Sequence, residues 1–130
     1  MNLEGRKILL NKPVSEIVDL LKDPENYKQL MPEGLQKFDA TADGFKFSLK
    51  GMPEIALKLG EVSEQKAVLR SASSSMDFEL TTSMNAVSDT QTEVQMFFEG
   101  KFNPFIKMMV EKPLQNFMNA LTDKIETMYA

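Results

Sequence analysis

The chain contains no cysteine, no histidine and no tryptophan. Without Cys there are no disulfides, thiolate nucleophiles, iron–sulfur clusters or zinc ribbons. Without His, Ser-His and Cys-His catalysis, His-ligated haem and most zinc chemistry are excluded. An enzyme built on this chain works with Asp, Glu, Lys, Tyr, Ser or Thr. No apolar run approaches the ~20 residues that a membrane-spanning helix needs. The first residues, Met1-Asn2-Leu3-Glu4-Gly5, lack the apolar stretch of a signal peptide, so the expected compartment is the cytoplasm. The six Gly and six Pro are scattered and mark no linker. There is no internal repeat, no glycine loop to cradle phosphate and no calcium-loop cluster. Basic side chains are outnumbered, 15 against 19, for a formal charge of −4. An acidic chain repels phosphate backbones, so no nucleic-acid partner is expected.

What remains is a globular composition. The 130 residues are 42% apolar and 26% charged, which fits one domain, residues 1–130, with a core that needs no staples. The chain reads in three zones. In the first, Ile8, Leu9 and Leu10 mark a strand within Leu3 to Asn11. Pro13 suits a helix start, and Val14, Ile17, Val18 and Leu21 follow at helical spacing. Asp23-Pro24 then caps and opens a second short helix that ends before Met31-Pro32.

The second zone, about Leu35 to Phe102, alternates with period two. Phe45, Phe47 and Leu49 share one face, as do Ile55, Leu57 and Leu59. So do Leu69, Ser71 and Ser73, then Met76, Phe78 and Leu80, then Val94, Met96 and Phe98. One polar face per strand predicts antiparallel, half-exposed strands. Turn signals at Asp43-Gly44, Gly51-Met52-Pro53, Ser63-Glu64, Ser73-Ser74-Ser75 and Ser88-Asp89 make them a meander of hairpins, about six strands in all. The third zone opens with Asn103-Pro104. Ile106, Val110, Leu114, Phe117, Met118, Leu121, Ile125 and Met128 recur at steps of three or four, predicting an amphipathic helix about 38 Å long. Pro113 lies inside it and is expected to kink it. The fold class is α+β: a curved antiparallel sheet wraps the long C-terminal helix, because each apolar face has only the other to cover it.

This order resembles the START-like (SRPBCC) helix-grip superfamily, which includes birch-pollen-allergen-like proteins and bacterial polyketide cyclase/dehydrase and lipid-transport proteins. Asn11-Lys12-Pro13-Val14-Ser15-Glu16-Ile17 looks like the family's first strand running into its first helix. Leu21-Lys22-Asp23-Pro24-Glu25-Asn26-Tyr27 looks like its junction between the two short helices. Pro113-Leu114-Gln115-Asn116-Phe117 looks like its closing helix. The resemblance covers essentially the whole chain, and its motifs specify fold rather than chemistry. It implies a seven-stranded sheet gripping the C-terminal helix, often around an elongated apolar cavity. It also implies ligands such as lipids, fatty acids, quinones or polyketides; a minority of the family are enzymes.

On this reading the ligand-binding candidates are Phe45, Phe47, Leu57, Leu69, Ser71, Phe78, Leu80, Met96, Phe98, Met109, Phe117 and Met118. The alternative for each is ordinary core packing. Ten Met favour an adaptable lining, since Met fits irregular apolar shapes. Phe105, Met108 and Met109 widen the apolar face in the first turns of the C-terminal helix. Ser71, Ser73 and Thr82 fall on inner-face positions, where a hydroxyl takes a ligand head group or a backbone carbonyl. Tyr27, Met31 and Met52 are the cavity-entrance candidates. Exposed apolar loops at Met31-Pro32 and Met52-Pro53 would allow transient membrane contact. Arg70 either meets a carboxylate ligand or pairs with a Glu across the sheet. Asp77, Glu79, Glu93 and Glu99 fall on the polar face, unsuited to acid–base work, which wants a buried carboxyl. Phe97 on that face suggests a dimer contact, so a monomer or weak homodimer is expected. No catalytic residue, metal ligand or cofactor is expected. The leading function is non-enzymatic carriage or sensing of a small hydrophobic ligand. The alternatives are a scaffold or accessory module with a filled core, and a cyclase or dehydratase using Tyr27 or a Ser.

Overall fold

The computed structural model describes residues 1–51, 54–72 and 77–129. Met52, Pro53, Ser73, Ser74, Ser75 and Met76, which carry one entrance candidate, one hydroxyl candidate and two turn signals, lie outside the described residues.

The strands are β1 (Asn2–Glu4), β2 (Ile8–Leu10), β3 (Leu35–Ala40), β4 (Gly44–Leu49), β5 (Ile55–Val62), β6 (Lys66–Ser71), β7 (Asp77–Ser88) and β8 (Gln91–Lys101). The helices are α1 (Val14–Leu21), a 3₁₀ helix (Pro24–Leu30) and α2 (Pro104–Met128). Strands β3 to β8 form the expected antiparallel meander, and β1 and β2 both lie along the outer edge of β8. The sheet is therefore seven strands wide. The expected first strand is broken in two, for a reason visible in the register. Glu4 faces Phe97 and Ile8 faces Val94, so three residues, Gly5 to Lys7, span a gap that β8 crosses with two. The extra residue reverses parity: Leu3 points inward before the break, Ile8 and Leu10 after it. The Gly5 N–H still donates to the Met96 carbonyl at 2.8 Å. A Cβ on Gly5 would stand 3.0 Å from that same oxygen, so a side chain there would push the two strands apart by a few tenths of an ångström.

The helix starts follow the local chemistry. The Asp23 side chain accepts from the Glu25 N–H at 3.0 Å, with Pro24 next. The Asn103 side chain accepts from the Ile106 N–H at 2.9 Å, with Pro104 next. Each supplies one acceptor to a helix end whose first N–H groups lack partners. Pro13 stands one residue earlier than a first-turn proline would, in extended conformation just before α1. α1 and the 3₁₀ helix carry the chain from the β8 edge of the sheet to its β3 edge. α2 continues through Pro113 as one helix and buries Val110, Leu114, Phe117, Met118, Leu121 and Ile125 on one stripe. That stripe, the inner sheet face and Ile17, Leu20, Leu21 and Leu30 of the short helices form one core.

Candidate functional site

The inner sheet face carries two aromatic stacks. In the first, Tyr27 lies on Phe45 (4.9 Å between ring centres), Phe38 on Phe45 (5.2 Å), and Phe45 beside Phe47 (5.9 Å). Phe47 then stacks on Phe117 of α2 at 4.9 Å and 12°. The second stack joins Phe78 to Phe98 (5.2 Å), with Phe102 against both. Between the stacks, under α2, lies an enclosed void. Its walls are Phe47, Ile55, Leu57, Phe78, Leu80, Phe98, Leu114, Phe117 and Met118, all apolar.

The void measures about 10 Å³. That is the space of one water molecule at most, and with no polar partner a water gains nothing there. Ligand pockets for drug-sized molecules occupy roughly 300–1,000 Å³. The elongated cavity that the resemblance implies is thus closed in this structure. The aromatic rings and the Met118 side chain fill it.

Seven of the twelve ligand-binding candidates, Phe47, Leu57, Phe78, Leu80, Phe98, Phe117 and Met118, meet around the void. Phe45, Leu69 and Met96 are buried on the same sheet face but do not line it, and Ser71 is half-buried at the end of β6. Met109 does not join them. It is 61% exposed, on the side of α2 away from the sheet, because the helix turns Val110 inward instead. Phe105 is likewise outside, 76% exposed. Ile55 and Leu114 line the void and were absent from the candidates. Ile55 shares the parity of Leu57, and Leu114 the helical stripe of Phe117, so both signals were in the spacing.

The entrance candidates move inward too. Tyr27 is buried, and its hydroxyl donates to the Leu21 carbonyl at 2.8 Å. It fastens the 3₁₀ helix to α1 rather than opening a mouth, and burial pushes its pKa up from 10.0. Met31 is also buried, packed into the core at the end of the 3₁₀ helix, so it cannot reach a membrane. Thr82 is buried opposite Met96, on the inner face as its parity implied. The other two buried threonines have backbone partners: Thr92 donates to the Lys12 carbonyl at 2.9 Å and Thr122 to the Met118 carbonyl at 3.1 Å.

On the outer face, Arg70 stands opposite Glu79 in the register and pairs with it at 3.4 Å. Asp77, Glu79, Glu93 and Glu99 share this solvated side, and no Asp or Glu is buried among the described residues. Phe97 is partly exposed on the same face. A larger groove, about 570 Å³, runs outside the core between the end of the 3₁₀ helix and the second half of α2. Pro32, Ala120 and Met128 line it together with Glu33, Asp123 and Lys124. It is open to solvent and offers an apolar ligand no enclosure. Among the described residues no helix is long and apolar enough to cross a membrane.

No family model matches the sequence, and no curated protein matches it. Solved structures do. A START superfamily protein from Mycobacterium smegmatis superposes with a TM-score of 0.69 at 13% identity, over 98% of this chain and 96% of that one. Norcoclaurine synthase from Thalictrum flavum, solved with dopamine and hydroxybenzaldehyde, gives a TM-score of 0.72 at 14% identity, over 98% and 85%. The di-domain ARO/CYC protein BexL gives 0.64 at 14% identity, over 97% of this chain and 46% of that one. The chain therefore has the START-like helix-grip fold. These neighbours put a START superfamily protein, a synthase and an ARO/CYC protein on one scaffold, and fold alone does not choose among them.

Proposed function

We propose that the chain binds a small hydrophobic ligand between the sheet and α2 and performs no chemistry on it. A lipid, fatty acid, quinone or polyketide-like molecule fits the class. The observation that carries the reading is the lining of the void: nine apolar side chains, two facing aromatic stacks and one buried Met. The norcoclaurine synthase structure holds dopamine and hydroxybenzaldehyde on the same fold, which supports small-molecule binding by this scaffold. Binding would be driven by apolar area removed from water, about 25 cal/mol per Å². Since the void is closed, the ligand must displace Leu114, Phe117 and Met118. Pro113 precedes this group and has no N–H to donate to the Met109 carbonyl, so the helix is weakest where it would have to move.

A cyclase or dehydratase reading has less support. Its candidate Tyr27 is occupied by the Leu21 carbonyl, and the void wall offers no acid or base. The filled-core interaction module is the stronger second reading, because a void of about 10 Å³ is what a finished core leaves. One experiment separates the two. The protein is purified without detergent, its organic extract is analysed by mass spectrometry, and thermal shift is measured with a panel of fatty acids, phospholipids and quinones. A stoichiometric extract component, or a concentration-dependent rise in Tm, is expected for the binder. An empty extract together with no shift across the panel would establish the filled-core reading.

A further inference from the structure

The first turns of α2 are apolar on both sides. Val110 faces the core, whereas Phe105, Met108 and Met109 are 76%, 84% and 61% exposed on the opposite side. Their i, i+3 and i, i+4 spacing makes them one contiguous patch. Lys112 follows Met108 and Met109 at the same steps. Beyond it this outward stripe turns polar, through Gln115, Asn116, Asn119 and Asp123, all exposed. An exposed apolar patch on the side of a helix away from the core is one that something covers.

The charge around the patch identifies the cover. From Lys101 to Lys112 the charged residues are Lys101, Lys107, Glu111 and Lys112, and Asp77 stands opposite Lys101 in the strand register, so the surroundings of the patch are net +1 in a chain of net −4. Of the two acids, Glu111 is already engaged, pairing with Lys107 at 3.9 Å. We propose that this end of α2 docks on an anionic lipid bilayer. Phe105, Met108 and Met109 enter the headgroup–acyl boundary, and Lys101 and Lys112 reach the lipid phosphates, their stems lying along the apolar layer. The acidic remainder of the protein is repelled by the same surface, so only this end approaches. A symmetric contact with a second copy is disfavoured, because it would set one lysine cluster against the other. Membrane contact was expected at Met31-Pro32, where Met31 proves buried; the exposed apolar side chains lie on α2 instead. This proposal stands apart from ligand binding in the core.

The test is co-sedimentation of the full chain with phosphatidylcholine vesicles, with and without phosphatidylglycerol. Binding is expected only to the anionic vesicles, weakening several-fold as salt is raised from low to physiological levels. The triple variant Phe105→Ser, Met108→Ser, Met109→Ser should lose at least tenfold in vesicle affinity with an unchanged unfolding midpoint. The pair Lys101→Gln, Lys112→Gln should lose about tenfold and most of the salt dependence. No binding to anionic vesicles, or undiminished binding by the triple variant, would overturn the proposal. So would analytical ultracentrifugation showing a dimer that the triple variant dissolves.

Discussion

The two halves of α2 share a backbone and differ in what surrounds them. From Leu114 to Met128 every large apolar side chain except Met128 is buried, and the opposite face is polar. From Pro104 to Lys112 only Val110 is buried, and three large apolar side chains face water. The polar fastenings follow the same division. Arg6, from the bulge between β1 and β2, reaches Asp123 at 2.7 Å and Glu126 at 2.8 Å, and the Asn11 N–H donates to the Tyr129 carbonyl. Among the described residues, no comparable tie from the sheet reaches the first turns. Hydrophobic periodicity thus marks which face of a helix is apolar, but not what covers it. In the second half the cover is this protein's own sheet. In the first it is supplied from elsewhere.

The largest test of this contrast is a pair of truncations. Phe117→Ala removes a ring stacked on Phe47 beside an existing void, and should cost about 3–5 kcal/mol in denaturant unfolding. Phe105→Ala removes the same ring from solvent, and should shift stability by no more than about 0.5 kcal/mol. Equal losses would mean that the first turns are packed, and the contrast would be wrong. Next in size is Pro113→Ala, at the border between the halves. It restores an N–H for the Met109 carbonyl and replaces the poorest helix former, so stability should rise by about 1 kcal/mol. If the ligand enters by opening α2 here, the same variant should slow its uptake, as stopped-flow fluorescence with a polarity-sensitive fatty acid would show.

The same contrast explains what the sequence disclosed. Phe47, Leu57, Phe78, Leu80, Phe98, Phe117 and Met118 were legible because strand parity and helical spacing both point toward one core. Asp23-Pro24 and Asn103-Pro104 were legible because capping is local chemistry. The pairing of β1 and β2 with β8 was not, since a contact across some ninety residues leaves no mark in a short window. Nor was the parity reversal at Gly5, which depends on how many β8 residues the link must pass. Met109 and Tyr27 do not line the void, for related reasons. One is apolar but turned outward on its helix, and the other has its hydroxyl taken by a carbonyl six residues earlier. Neither the free surface nor the available acceptor is a property of composition.

Tyr27 offers a smaller test, on the side of the core where the packing is tied by a hydrogen bond. Tyr27→Phe keeps the stack on Phe45 and removes the donor to the Leu21 carbonyl, so about 1–2 kcal/mol should be lost. Burial raises the folded-state pKa above the ordinary 10.0. The unfolded chain ionises first, so this group's contribution is complete below pH 10 and declines as pH rises from there. Wild-type stability should therefore fall between pH 10 and 12, and Tyr27→Phe should flatten that slope. The partly buried Tyr129, whose pKa is raised in the same direction, should contribute to the slope that remains.

The Arg6 fastening should have the smallest effect, although it is the most visible polar contact on α2. Arg6 and its two partners are all largely exposed, where solvent and salt screen an ion pair and the side chains lose freedom in making it. Hydrogen bonding to Arg6 holds the Glu126 carboxyl below its ordinary pKa of 4.5. A depressed carboxylate contributes above its unfolded value and loses that contribution as pH falls through the folded one. Arg6→Ala should therefore lower Tm by at most about 2 °C at neutral pH, and less at high salt. As pH falls below 4.5 and through the lowered Glu126 value, the variant and wild-type curves should converge. A drop as large as that of Phe117→Ala would mean that the clamp, rather than the buried stripe, holds the second half of α2 on the sheet. The two halves would then differ in their fastening and not in their packing.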